Sequence, residues 1–472
     1  MKNKKSLVWF RNNLRLADNE ALYEASSNSE QLIMVYILDA RHWQESPIKL
    51  RTSSDKKLTF LWDSIMALKK SVEAKGGSLL LKKGNTEEVI AELFDEYNFD
   101  AVYTTIESGV YEERELENVE NYLIKKGVST YTFAETTLYH PDDIPWPINK
   151  LPAVFTQFRK ENEKQTPIRA LINAPEDLSH AVGEKLTYKP HDFNISIDYP
   201  PEKSVLNFKG GEQEALNRLN YYFWETDLVQ TYKKTRNGLL GGDYSAKFSP
   251  YLALGCISPR TIYFELKKYE KERKSNQSTY WIFFELAWRD YFHFIMKKHG
   301  NQLFSAQGIK EEGYEWSHSE KDFQKWSEGK TGVPFVDANM RELNETGFMS
   351  NRGRQNVASF LTHDLNIDWR WGAWYFERQL LDYDVASNWG NWAYVAGVGN
   401  DPRENRYFNI LSQAKKYDPK GEYIKYWLPS LSGIEGFNAH KVGLLNGEIR
   451  ETHKEIDAVF FEPMIDMKKW DY

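Results

Sequence analysis

The first 135 residues alternate between short apolar runs and amphipathic stretches, and this alternation constrains the fold more than any other feature. Strand-like runs occur at residues 6–10, 31–38, 78–83, 101–106 and 130–134. The stretches between them, such as LTFLWDSIMALKKSVEAKGG and TEEVIAELFDEY, have the apolar spacing of helices. Apolar strands separated by amphipathic helices predict a Rossmann-like parallel sheet with helices on both faces. Ligands of such domains bind at the carboxyl ends of the strands, although no G-x-G-x-x-G follows the first strand here.

The rest of the chain changes character twice. Nine of the 17 prolines fall between Pro141 and Pro201 without sustained periodicity, which predicts a long linker over the surface at residues 136–205. Helical periodicity dominates residues 206–432, and residues 433–472 are expected to form a tail packed on the body. The predicted fold class is therefore α/β plus all-α, with an N-terminal sheet domain at 1–135, a linker and a C-terminal helical domain.

Composition excludes several classes of protein. No run of 18 apolar residues occurs, so we expect no membrane span. The start, MKNKKSLVWF, lacks the apolar stretch of a signal peptide and is too short for a transit peptide, which favours a cytoplasmic protein. The single cysteine, Cys256, excludes an internal disulfide, and the histidines and carboxylates show no metal-ligand spacing. Because the net charge is −7, nucleic-acid contact would require a local basic patch.

Tryptophans cluster near the end of the helical region. Five of the 16 lie between residues 369 and 392, beside Asp382, Asp384 and Asn388. Leucine fills a core more simply, so indoles among polar side chains indicate a site that holds a flat ligand or transfers electrons. An aromatic-rich helical core is the alternative. Asp382 and Asp384 are expected to accept hydrogen bonds, the first from an arginine such as Arg354 and the second from a ring or ribose.

A loop rich in glycine and hydroxyl groups, GLLGGDYSAKFS at residues 238–249, precedes a helical run. Such loops can present backbone N–H groups and hydroxyls to phosphate. Tyr232 and Arg236 could complete a diphosphate cradle. The alternative is an ordinary capped helix start, with Ser249 as N-cap and Pro250 in the first turn.

Two helices carry polar residues suited to the wall of a pocket. Around residues 281–293, helical spacing places Glu285, Trp288, Arg289 and Phe292 on one face. This combination indicates a polar pocket wall, and a Glu285–Arg289 surface pair beside core aromatics is the alternative.

The segment NRGRQ at residues 351–355 opens another predicted helix. Arg352 and Arg354 could meet phosphate or a carboxylate, and Asn351 and Gln355 could bond the edge of a heterocycle. Helix capping with solvated arginines is the alternative.

Several long segments together resemble the photolyase/cryptochrome flavoproteins, most closely the DASH cryptochrome branch. They are KFSPYLALGCISPR, WIFFELAWRDYF, WSEGKTGVPFVDANMRELNETGFMSNRGRQNVASFL and DYDVASNWGNWAYVAGVGNDPRENRYFNILSQAKKYDPKGEYIKYWLP. The resemblance extends from VWFRNNLRLADN to about residue 430. It implies one FAD per chain in the helical domain. It also implies an antenna in the N-terminal domain, expected to be 5,10-methenyltetrahydrofolate, with Glu107 as its contact unless that residue is a plain exposed loop glutamate.

The resemblance also assigns roles to individual residues. The diphosphate and ribityl chain would be held by Tyr232, Ser245, Lys247, Phe248 and Ser249. The rest of the flavin pocket would be formed by Glu285, Arg289, Arg354, Asp382 and Asp384, with Asn388 facing flavin N5. The electron relay from the surface would consist of Trp392, Trp369 and Trp316. A flipped-out pyrimidine dimer would be bound by Trp288, Tyr394, Glu285, Asn351 and Gln355, with Arg352 meeting phosphates.

The activity that the resemblance implies is blue-light-driven repair of cyclobutane pyrimidine dimers. The resemblance to the DASH branch implies a preference for single-stranded DNA, and Tyr394, which stands where double-strand photolyases usually have tryptophan, agrees with it. Positions 350, 351 and 355 lack the histidines of (6-4) photolyases, which disfavours that lesion. The alternative is a blue-light photoreceptor that binds DNA or a regulatory partner with little repair. A dark flavin oxidoreductase is a third hypothesis, disfavoured because no nicotinamide fingerprint occurs. We expect a monomer.

Overall fold

The computed structural model describes residues 3–310, 314–401, 407–445 and 447–470. Its N-terminal part is built on a five-stranded sheet in the order β3-β2-β1-β4-β5, with every neighbouring pair parallel. The strands are β1 Asn3–Phe10, β2 Ser29–Asp39, β3 Leu80–Gly84, β4 Ala101–Thr105 and β5 Ser129–Phe133. All five predicted strands and the parallel sheet are thus confirmed.

Helices connect the strands and then form most of the remaining chain. The first four are α1 Glu20–Asn28, α2 Asp55–Ala74, α3 Thr86–Tyr97 and α4 Val110–Lys125. The next six are α5 Phe155–Gln165, α6 Glu212–Asn220, α7 Tyr232–Thr235, α8 Ser249–Ala253, α9 Pro259–Glu272 and α10 Gln277–His299. The last eight are α11 Glu320–Ser327, α12 Pro334–Thr346, α13 Asn351–Ser359, α14 Trp369–Gln379, α15 Val385–Val395, α16 Ile410–Tyr417, α17 Glu422–Trp427 and α18 Gly447–Thr452. None of the described helices is long and apolar enough to cross a membrane.

The two faces of the sheet pack into different cores, because successive side chains of a strand point to opposite faces. Leu7 and Trp9 of β1 pack with residues of α3 and α4. Val8 and Phe10 belong to a core that continues into the helical part and includes Phe283 of α10. One face of the sheet therefore shares an apolar core with α10 and its neighbours, and the rest of the helical part has a core of its own.

The predicted linker contains a helix that the sequence interpretation missed. Phe155 and Phe158 of α5 are 5% and 0% exposed, so this part is packed interior rather than a surface strap. The buried positions 155, 158 and 162 follow helical spacing, but the polar residues between them hide the pattern. The boundaries at residues 136 and 205 stay predictions.

A buried carboxylate of α10 fixes the start of this segment. Asp290 accepts hydrogen bonds from the backbone N–H groups of Leu138 and Tyr139 at 2.9 and 2.8 Å. Burial raises the pKa of Asp290 to about 7, although both N–H groups favour its charged form. Because α10 holds the linker in this way, it sets the linker's position relative to the helical part.

Candidate functional site

Two adjoining cavities lie between α10, α13 and the loop before α8. They have volumes of about 1040 and 570 Å³, and they share Asn351, Arg354, Asp382 and Ser387 in their walls. The larger is lined by the predicted cofactor residues Tyr232, Ser245, Lys247, Phe248, Ser249, Glu285, Arg289, Arg354 and Asp382. The smaller is lined by Asp384, Asn388 and Trp392 among others. The residues that the sequence assigned to FAD in the helical domain are therefore brought together.

The glycine-rich loop forms one wall of the larger cavity. Lys247 has a left-handed backbone (φ 59°), and its Nζ lies 3.0 Å from the centroid of the Tyr244 ring and 3.2 Å from Ser245 Oγ. Burial lowers the pKa of Lys247 well below its usual value. Helix α8 begins at Ser249 without a side-chain cap among the described residues, so the alternative in which Ser249 is the N-cap is wrong, whereas Pro250 lies in the first turn as that alternative had it. Its hydroxyl is not engaged as a cap.

Sequence reasoning missed Arg218, which holds the backbone of this loop through three hydrogen bonds. Arg218 of α6 donates to the carbonyls of Gly242, Ser245 and Ala246 at 2.8, 3.0 and 3.0 Å. It is 8% exposed. No local pattern marks this role, because Arg218 is more than 20 residues from the loop.

Glu285 pairs with an arginine other than the one considered from helical spacing. Arg236 forms an ion pair with Glu285. Burial raises the pKa of Glu285, whereas the Arg236 charge opposes that rise. The alternative of a Glu285–Arg289 surface pair is therefore wrong, and Arg236 is engaged at Glu285.

Asp384 lies at the centre of a charged cluster that joins α10 to α15. Its Oδ2 accepts from Arg289 Nη2 at 3.0 Å and lies 2.9 Å from His293 Nε2. Its Oδ1 accepts from the Ser387 N–H at 2.8 Å and so caps α15. Burial alone would raise the pKa of Asp384, but His293 and Arg289 hold it far below its usual value. Sequence reasoning missed His293, although it lies one helical turn after Arg289.

The predicted hydrogen bonds between Arg354 and Asp382 are present. Arg354 Nη2 donates to both carboxylate oxygens, at 3.0 and 2.8 Å, and Arg354 Nε donates to the Met349 carbonyl at 2.9 Å. Arg354 is therefore not a solvated arginine. The pair joins α13 to the turn before α15.

The Asn388 side chain is oriented by a hydrogen bond to the backbone of α14. Its Nδ2 donates to the Ala373 carbonyl of α14 at 3.0 Å, and the side chain is 8% exposed. This bond engages an N–H of the amide and orients the group, and the amide oxygen is the acceptor that the same group can offer. Asn388 can therefore offer a fixed acceptor to a ligand in the smaller cavity.

The three predicted relay tryptophans run from the cavity toward the surface. Trp392 lines the smaller cavity and Trp369 is fully buried, whereas Trp316 is partly exposed. Trp369 and Trp316 both donate to the Ala306 carbonyl at 3.0 Å, so their indoles are neighbours. Trp392 packs over Gly372, where an added Cβ would lie 2.2 Å from its ring. Trp392 thus lies against α14, the helix that begins at Trp369, and the Trp369 ring is also 5.6 Å from that of Trp389. The three indoles lie at the cavity wall, in the interior and near the surface, positions that suit the predicted relay.

The predicted stacking residues form an aromatic corner. The rings of Trp288 and Tyr394 are 6.0 Å apart and nearly perpendicular, at 81°. Phe155 of α5 also stacks on Trp288, a contact that the sequence did not predict. The corner thus has one wall from α10, one from α15 and one from the linker.

Three polar residues of α13 were predicted to contact DNA: Asn351 and Gln355 at the lesion and Arg352 at phosphates. Asn351 is exposed and lines both cavities. Gln355 accepts from Arg352 at 2.8 Å, and Arg352 also donates to Asn237 Oδ1 at 3.0 Å. The Arg352 guanidinium lies over the Tyr417 ring, 4.5 Å from its centroid. Arg352 is therefore held by protein contacts rather than freely solvated.

Glu107 lies in a different cavity, at the carboxyl ends of the strands. It is 8% exposed, so the alternative of an exposed loop glutamate is wrong. Its Oε1 accepts from the Asn12 N–H at 2.7 Å, and its Oε2 is 3.5 Å from Arg11. This cavity has a volume of about 990 Å³ and is also lined by Glu115. Burial raises the pKa of Glu115 to about 7, although the Arg11 charge acts to lower it.

The larger cavity fits a ligand with a flat ring and phosphate groups. Its wall combines hydroxyls, the buried amino group of Lys247 and an arginine–carboxylate pair. Tyr244 Oη is buried in this wall and has no hydrogen-bond partner among the described residues. Such an orphaned group is costly unless a ligand or water satisfies it.

Comparisons with known proteins agree with this geometry. The family model described as the FAD binding domain of DNA photolyase matches residues 281–471, and the DNA photolyase model matches residues 6–176. A Xenopus laevis protein named Cryptochrome DASH is 46% identical over 98% of this chain and 89% of its own length.

Solved structures give the same result. The Synechocystis cryptochrome has a TM-score of 0.93 at 43% identity, covering 100% of this chain and 98% of its own. A class III photolyase from Agrobacterium tumefaciens has a TM-score of 0.85 at 27% identity, covering 100% and 96%. The chain carries the FAD-binding domain of this family over its helical part. It therefore belongs to the photolyase/cryptochrome family and, within that family, to the DASH cryptochromes.

Proposed function

We propose that this protein is a blue-light-driven, FAD-dependent enzyme that repairs cyclobutane pyrimidine dimers and prefers single-stranded DNA. One observation carries the proposal most strongly. Asn388 and Trp392 of α15 line the smaller cavity, which adjoins the larger cavity with its cofactor residues. The Trp288–Tyr394 corner is built from α10 and α15, which also supply residues to these cavities. A flavin site, an electron route and a stacking corner for bases are thereby combined.

The cofactor residues have chemistry that suits FAD. Ser245, Lys247 and Ser249 offer hydroxyl and ammonium donors for a diphosphate, and Tyr232 lies beside them. Asn388 presents a fixed amide oxygen where we place flavin N5. Bound FAD, once reduced and excited by blue light, would supply the electron that splits the dimer's cyclobutane ring.

The substrate side is formed by aromatic rings and one acid. Trp288 would stack on an extruded dimer, as aromatic side chains do with unstacked bases, and Tyr394, nearly perpendicular to it, would contact the dimer from a second side. Glu285, whose pKa burial raises, would hydrogen-bond the pyrimidine edge from beside Arg236. Extrusion from a duplex costs a few kcal/mol and less from a single strand, which supports a single-strand preference.

Electrons that re-reduce the flavin would pass inward from the surface through Trp316, Trp369 and Trp392. Glu107 would contact a folate antenna, sharing its carboxylate with Asn12. We further propose that the enzyme acts as a monomer.

The test is blue-light repair of a defined thymine-dimer oligonucleotide by the reduced, FAD-loaded protein, on single-stranded and duplex substrates side by side. We expect turnover on the single strand and little on the duplex. Glu285→Gln should retain FAD and lose most of the turnover, whereas Glu265→Gln, a matched change at a residue outside both cavities, should behave as wild type. A yellow, photoreducible protein without turnover on either substrate would refute the repair function and favour a blue-light photoreceptor.

A further inference from the structure

The linker packs directly on the residue that we place against the dimer. Phe155 stacks on Trp288 with ring centroids 3.6 Å apart and planes 16° apart. This separation is that of carbon atoms in van der Waals contact, so the rings overlap face to face. One face of Trp288 is therefore covered by a residue of the linker.

The remaining contacts of Trp288 come from α10 and α15. The Phe292 ring, one turn further along α10, is 5.6 Å away and tilted by 26°. Tyr394 meets the indole edge-on, with its centroid 6.0 Å away. Tryptophan has only two side-chain torsions, so contacts from three elements hold its ring in one orientation. Because the ring is already oriented before the ligand binds, no binding free energy is lost in ordering it.

The linker backbone beside the stacked phenyl ring is itself fixed. Tyr291 Oη donates to the Ala153 carbonyl at 2.6 Å, and Lys298 Nζ donates to the Leu151 carbonyl at 2.7 Å. Asn400, which follows α15, donates to the same Ala153 carbonyl at 3.3 Å. The segment is thus tied to both elements that form the aromatic corner.

We infer that Phe155 is a positioning residue for dimer recognition, and that the linker is a wall of the lesion site. Phe155 acts through Trp288, whose indole it holds in the orientation needed for stacking on a pyrimidine dimer in a DNA strand. This inference rests on the proposed function, because that function places the dimer against Trp288.

The first test measures binding in the dark, with FAD-loaded protein and a single-stranded oligonucleotide that carries one thymine dimer. The undamaged strand of the same sequence gives the background. We expect Phe155→Leu to weaken dimer binding about five- to tenfold, since an aromatic stack contributes at this level beyond area burial. Phe155→Tyr should restore it. Phe158→Leu is the matched control, since Phe158 is buried in the same helix and has no ring contact with Trp288 in the described chain.

A double-mutant comparison separates positioning from general damage. In a Trp288→Ala background, Phe155→Leu should cause no further loss of dimer binding, because the residue through which it acts is gone. A full additional loss in that background would overturn the inference. Unchanged dimer binding by Phe155→Leu alone would overturn it as well.

A spectroscopic measurement tests the orientation independently of DNA. In protein labelled with 5-fluorotryptophan, the ¹⁹F resonance of Trp288 is identified by its absence in Trp288→Phe. It should shift and broaden in Phe155→Leu but not in Phe158→Leu. An unmoved resonance would overturn the positioning role itself. If wild-type protein does not prefer the dimer strand, the proposed function fails, and the ¹⁹F result alone decides whether Phe155 orients Trp288.

Discussion

Asp384 offers the sharpest test of how the site is held together, because one carboxylate performs two separable tasks. It caps α15 through the Ser387 N–H, and it neutralises Arg289 in a setting where the two side chains are only 10% and 13% exposed. Asp384→Ala removes both functions, whereas Asp384→Asn retains a good capping group and removes the charge.

The expected magnitudes follow from these contacts. Loss of an N-cap costs about 1 kcal/mol, and removing one partner of a buried ion pair costs about 3–5 kcal/mol. We therefore expect the unfolding free energy to fall by about 3 kcal/mol or more in Asp384→Ala and by about 1 kcal/mol less in Asp384→Asn. Asn85→Ala is the matched control: Asn85 is an exposed N-cap of α3 without an ion pair, and its loss should cost about 1 kcal/mol.

The pH dependence has a definite sign. Because the folded pKa of Asp384 lies far below its usual value, its stabilisation is complete above the unfolded pKa of about 4 and is lost as the pH falls. The difference between wild type and Asp384→Asn should shrink as the pH falls below 4. Urea unfolding followed by circular dichroism measures both effects, and the flavin absorbance of purified protein reports retention, which should fall in Asp384→Ala. Equal urea midpoints for wild type and Asp384→Ala would refute the reasoning.

Three further predictions concern the relay and α10. Trp392→Phe should slow flavin photoreduction at least about tenfold, because phenylalanine is not oxidised; an unchanged rate, with Trp427→Phe as control, would exclude Trp392. Gly372→Ala should displace the Trp392 ring, cost about 1–3 kcal/mol in urea unfolding and slow the same photoreduction; normal stability and photoreduction would contradict the close packing. Burial raises the pKa of Asp290 to about 7, so its stabilising contribution is complete below about pH 4 and is lost as pH rises through 7. Asp290→Asn should therefore lose less unfolding free energy than wild type between pH 5 and 8, and parallel profiles would contradict the raised pKa.

Local patterns predicted those features whose cause is local. The five strands were predictable because residues such as Leu7 and Val8 are apolar on both faces, as buried parallel strands require. The helix start at Asn351 follows from Ser350, whose side chain accepts from the Gly353 N–H. The Arg354–Asp382 contact was expected from residue type alone, because Arg378 is nearer to Asp382 in the sequence, and the geometry of the contact could not be predicted.

Long-range pairings could not be predicted in this way. Arg236 lines the larger cavity, as expected for a residue of a diphosphate cradle, but its ion pair with Glu285 could not be predicted, because the packing of α10 beside α7 determines which carboxylate it meets. The contact of His293 with Asp384 likewise depends on how α10 packs against α15. Helix α5 was missed because its apolar face is narrow, and only the position of α10 shows what that face covers.

Helix α10 couples these parts because neighbouring residues of a helix point in directions about 100° apart. Arg289 faces Asp384 at the flavin recess, whereas the next residue, Asp290, faces the N–H groups at the start of the linker. Trp288 points in a third direction, about 100° from Arg289 and about 160° from Asp290, and is stacked by the linker itself. A rotation of α10 would therefore disturb the cap of α15, the anchoring of the linker and the aromatic corner together. Substitutions that remove the hydrogen bonds of Asp290 to the linker should therefore lower flavin retention and dimer binding together. This is expected although Asp290 lines neither of the two adjoining cavities. Asp290→Ala protein with full FAD occupancy and wild-type dimer binding would show that the linker and the site are held independently.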